Sequence, residues 1–137
     1  MTISTDIIDI TPDMIRPRAQ AVLRRDGWTQ YKYIRLASDA PIEQAPCCMV
    51  EAIGRAAGLP PFALSSKTPP VGVSPARWEV ARNTADEVAL DLGRDPSDDD
   101  QFSPVTYLSA WNDTKGRTLA QVLDALEPPT SKAGGAA

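Results

Sequence analysis

Residues 74–93 read SPARWEVARNTADEVALDLG, and the periodicity of this stretch decides the class of the fold. Trp78, Ala81, Ala85, Val88 and Leu92 recur at offsets of 3, 4, 3 and 4, which gathers them on one face of an α-helix. Ser74 offers a capping hydroxyl, Pro75 has the fixed φ that suits a first helical position, and Gly93 supplies a stop. A long capped helix with an apolar stripe needs other apolar faces to cover it, so the rest of the chain is read for partners.

Toward the C-terminus, Ser103-Pro104 repeats the same opening and puts Val105, Leu108 and Trp111 on one side of a short helix. After the loop 112–117, Thr118 and Gln121 have the spacing of a capping box, with Leu119, Val122, Leu123 and Leu126 at helical spacing behind them. Pro128-Pro129 stops that helix, and 128–137 reads as a disordered tail. Toward the N-terminus, 59–73 holds two Pro-Pro pairs and reads as an extended surface connector pinned by Phe62 and Leu64. A small-residue helix is expected from Pro46 to Ala57, with Pro46 in the first position and Gly58 as stop. Ile15, Ala19, Val22 and Leu23 predict a helix within 11–26, with Asp13 as N-cap, Gly27 as stop, and either strain at Pro17 or a start there. Tyr31 and Tyr33 alternate with Lys32 and Ile34, leaving room for a short β element near 30–37. The expected architecture is a mostly α, compact bundle of about four helices in one domain over 11–127. It is preceded by an arm at 1–10 and interrupted by the Pro-rich connector 59–73 and an acidic loop at 94–102.

Composition narrows the function. The 137 residues suit a single core, and no run approaches the roughly 20 apolar residues that span a bilayer. The N-terminus carries Asp6 and Asp9 where an export signal would be basic and then apolar, so the expected location is cytoplasmic. A net charge of −4 is the wrong sign for a nucleic-acid partner; a patch of Arg16, Arg18, Arg24 and Arg25 is the best support for one. Adjacent Cys47 and Cys48 cannot staple distant segments, and the thiols read as buried apolar groups or, alternatively, as a helix-terminal nucleophile. The sequence contains no histidine, which removes the usual base and the commonest metal ligand. Asp98-Asp99-Asp100 lacks the alternation of a calcium loop, so no metal and no cofactor are expected.

Two motifs stand out: Gly27-Trp28-Thr29-Gln30, and Trp111-Asn112-Asp113 followed by Gly116-Arg117-Thr118 and Val122-Leu123. With the Cys48-led helix between them, they resemble a family of small uncharacterised proteins from actinobacteria and their phages. The resemblance spans most of the chain and implies no activity. It expects glycine where this chain has Tyr31 and again where it has Glu51, which puts a charge at a point of close backbone contact.

The candidate binding residues are Trp28, Gln30, Trp111, Asn112, Asp113 and Arg117. In one reading they form a rigid corner: Asn112 and Asp113 accept N–H groups from the turn at Gly116, Arg117 returns a two-point bond to a carboxylate, and Trp28 folds back on the helix before it. In the other they floor a polar pocket, with Asp113 and Arg117 offering opposite charges to a ligand or partner chain. The expected function is a non-catalytic accessory protein of phage or mobile-element origin that binds another protein. The alternative is a small nucleotide-like ligand at this corner, and the third is an enzyme using Glu51 or Asp113 as general base.

Overall fold

Hydroxyl caps set the frame of the molecule's second half. The Ser74 side chain accepts the Arg77 N–H at the start of one helix, and Ser103 accepts the Thr106 N–H at the start of the next. Thr118 and Gln121 close a reciprocal capping box on the last. The computed structural model describes residues 10–36, 39–98 and 103–128 and contains five α-helices: α1 (Pro12–Asp26), α2 (Met49–Ala56), α3 (Pro75–Asp91), α4 (Pro104–Asn112) and α5 (Leu119–Leu126). Short 3-10 turns lie at Ile42–Gln44 and Pro96–Asp98. The arm up to residue 9, the tail from 129, and Asp99 and Asp100 of the acidic loop lie outside the described residues. The architecture is the mostly helical bundle expected, with five α-helices among the described residues where about four were expected. Among the described residues, no helix is long and apolar enough to cross a membrane.

α2 sits at the centre. Every residue from Met49 to Gly54 is buried, so this helix is covered on all sides by α1, α3, α4 and the 59–73 segment. Leu64 lies 3.4 Å from where a side chain on Gly54 would begin, which shows how closely the backbone is approached. α1 starts at Pro12 behind Thr11, not at an Asp13 cap, and runs through Pro17. Pro17, the sixth residue of α1, lacks the N–H that would pair with the Asp13 carbonyl, so the helix forgoes one internal bond there.

Of the four arginines read as a basic patch, Arg18, Arg24 and Arg25 are exposed and Arg16 is withdrawn from the surface. Arg16 is fully buried: its guanidinium donates to the carbonyls of Ala125, Leu126 and Glu127 at 3.2 Å and meets Asp91 at 2.9 Å. Arg16 thus caps the C-terminus of α5 from across the core, filling carbonyls that a helix end leaves open. Arg25 is engaged with Asp26, which also binds Arg55.

Four local expectations are corrected. α2 begins at Met49, because the backbone of Pro46 to Cys48 is already paired on both sides. Cys47 N–H donates to Gly27 O and its carbonyl accepts from Thr29, while Arg35 N–H reaches Pro46 O and Cys48 N–H reaches Tyr33 O. Among the described residues, the β element near 30–37 is accordingly reduced to isolated bridges of Cys47 with Trp28 and with Ile34. The 59–73 connector is a chain of tight turns held by α3, through Trp78 Nε1 to Ala63 O and Arg82 to Ser66 O. Leu64 is buried there as expected, but Phe62 is 45% exposed.

Candidate functional site

Asn112, the last residue of α4, is completely buried and uses its whole amide. Its Oδ1 accepts the Trp28 indole N–H at 2.7 Å and the Met49 N–H at 3.1 Å; its Nδ2 donates to Thr29 O at 3.1 Å and Asp113 Oδ1 at 3.0 Å. Gln30 Nε2 returns to Asn112 O and Thr114 O, both at 3.0 Å. The two motifs, far apart in sequence, are therefore halves of one clamp. It joins the segment after α1 to the end of α4 and, through Met49, to the first turn of α2.

The clamp leads to a strained loop. Tyr31 has φ +70°, in the left-handed region, and its N–H donates to Asp113 Oδ1 at 2.8 Å. The same device occurs at Phe62, which has φ +66° and whose N–H donates to Glu51 Oε1 at 3.1 Å. For a residue with a Cβ this backbone costs on the order of 1–2 kcal/mol, and it persists only where surroundings enforce it. Here a carboxylate accepts each N–H: Glu51 from within α2, and Asp113 from just past the end of α4. The product is exposure: Tyr31 is 67% exposed, and the Phe62 ring meets half-buried Tyr33 edge to face at 6.5 Å.

Beside Tyr31 lies a cavity of about 240 Å³ lined by Tyr31, Lys32, Tyr33, Cys48, Ser109 and Asp113. Ser109 Oγ is buried and makes no hydrogen bond among the described residues. Burial pushes the Cys47 and Cys48 thiols up to about 12, so both are protonated at neutral pH. Burial also raises the Glu51 carboxyl, partly offset by the Phe62 N–H and by Arg55. Among the described residues, no cluster of Cys, Asp and Glu could hold a metal ion; part of the Asp98–Asp100 run lies outside them.

A family model described only as a family of unknown function, DUF6197, matches residues 9–128. The chain belongs to that family. No curated protein and no solved structure matches it.

In this DUF6197 member, Trp28, Gln30, Asn112 and Asp113 are brought together as the clamp, and of these only Asp113 also lines the cavity. Trp111 and Arg117 are not part of it. The Arg117 guanidinium stacks on the Trp111 ring at 3.7 Å and donates from Nε to Trp111 O, beside a shallow hollow against α5. The expected two-point bond from Arg117 to a carboxylate is replaced by this stack, because the indole face is the nearer partner and attracts a planar cation. Tyr31, Lys32, Tyr33, Phe62 and Ser109 escape sequence reasoning as site residues. The signal for one of them is the side chain at position 31, where the resemblance expects glycine.

Proposed function

We propose that this protein is a non-catalytic recognition module that binds another protein through the aromatic face of Tyr31, Tyr33 and Phe62. The observation that carries the reading is the paired strain: two non-glycine residues are held at positive φ by Asp113 and Glu51, and both present large rings to solvent. Exposed tyrosine and phenylalanine lose few rotamers on contact and bury large areas, which suits them to anchor an interface. In this reading Trp28, Gln30, Asn112 and Asp113 position the face from beneath, while Trp111 and Arg117 form a separate ledge. A role without catalysis is supported by the protonated thiols and by a Glu51 carboxylate that is buried and engaged with Phe62.

The resemblance to actinobacterial and phage proteins directs the search for the partner to an actinobacterial cytoplasm. A photo-crosslinking phenylalanine analogue in place of Tyr31 is expected to give one discrete adduct in such a lysate. Phe62→Ala should suppress it, and the analogue placed at exposed Val71 should not produce it. Identical adducts from positions 31 and 71, or none from 31, would refute the reading.

A further inference from the structure

The cavity beside Tyr31 holds polar groups that the clamp does not use. Asp113 spends Oδ1 on the Tyr31 N–H and on Asn112 Nδ2, and its other carboxylate oxygen makes no hydrogen bond among the described residues. Ser109 Oγ is buried without a partner, although a helical serine can return its hydroxyl to a carbonyl one turn back. Lys32 is exposed and forms no ion pair among the described residues. Ser109 Oγ has no surface open to that space, so one fixed negative charge and one positive charge border it without pairing with each other.

That arrangement discriminates by charge. A purely cationic guest would meet Lys32, and a purely anionic one would meet Asp113; a molecule carrying both charges satisfies both. Size discriminates further. The cavity of about 240 Å³ is smaller than the roughly 300–1,000 Å³ typical of pockets for larger ligands, and its single lysine is a poor match for a polyphosphate. The remaining walls are the two tyrosines and the uncharged Cys48, which suit a small apolar or aromatic substituent.

We propose that this cavity binds a small zwitterion of the α-amino-acid class, with its ammonium on Asp113, its carboxylate on Lys32, and its side chain against Tyr31 and Tyr33. The site goes beyond the protein-recognition reading and does not depend on it.

The test is calorimetric titration and amide NMR of the full chain against free proteinogenic amino acids, each compared with its N-acetyl form and its carboxamide. At least one free amino acid is expected to bind saturably with Kd of about 1 mM or tighter, shifting the amides of Tyr31, Lys32 and Ser109, and each blocked form should bind about tenfold more weakly. Lys32→Met, at an exposed position, should leave the fold intact and erase the preference for the free acid over the carboxamide. The proposal is overturned if no free amino acid saturates, if blocked forms bind equally well, or if Lys32→Met keeps the preference. Crosslinking from position 31 to a protein is read separately, so the two readings fail independently.

Discussion

Asn112 is a buried side chain whose amide is fully used, and its worth follows from what its loss leaves behind. Truncation to alanine strands the Trp28 indole N–H, the Met49 N–H and the Thr29 carbonyl away from water, each costing about 1–3 kcal/mol. Asn112→Ala is therefore expected to destabilise the protein by about 3 kcal/mol or more, read as a shift of the urea midpoint at unchanged slope. Glu51 makes a prediction of the opposite kind. Its folded-state pKa lies above its ordinary value of 4.5, so over the intervening window the folded protein keeps a proton that the unfolded chain has released. Stability is fully retained below that ordinary value and falls as pH rises through the folded pKa. Glu51→Gln keeps an acceptor for the Phe62 N–H and removes the buried charge. The variant should gain on the wild type as pH rises from 4 to 7 in denaturation series and match it at the acid end; equal pH profiles would show that Glu51 is already relaxed into solvent.

The caps offer a controlled comparison among the elements. Thr118 accepts the Gln121 N–H and anchors a capping box, whereas Thr11, in the same position on α1, makes no side-chain cap bond. Thr118→Ala should cost about 1 kcal/mol and Thr11→Ala close to nothing, as measured by thermal unfolding of the two variants side by side. This contrast also marks what was legible in sequence. Ser74, Ser103, Thr118 and Gly93 act on neighbours within one turn, so spacing alone places the helices they bound. The start of α2 was not legible, because Cys47 is held by Gly27 and Thr29 while its neighbours are held by Tyr33 and Arg35, all through backbone groups that carry no residue signature. The candidate site divides the same way. The two motifs were visible as motifs, and the spacing of Trp111, Asn112 and Asp113 placed them at a helix end. Their mutual clamp, and the positive φ of Tyr31 and Phe62 beyond it, arise only when α2 and α4 are packed against each other.

On the scale of the whole molecule, Arg16 joins the first helix to the last. Its guanidinium is matched to three carbonyls of the α5 terminus and to Asp91 of α3, so a point-like ammonium could satisfy only part of the set. Arg16→Met is expected to lose about 3 kcal/mol, and Arg16→Lys to recover less than half of it in the same denaturation assay. Hydrogen exchange should show the loss concentrated in α5, whose carbonyl end is left open, ahead of α2. This closure across the core has a consequence for biosynthesis. While the ribosome is still adding residues, the segment containing Arg16 has long since emerged, yet the carbonyls that neutralise its cost do not exist until codons 125 to 127 have been translated. The native packing of α1 thus waits for α5, and a nascent chain stalled before α5 would keep the Arg16 guanidinium in water and leave the apolar face around it uncovered for chaperones to read.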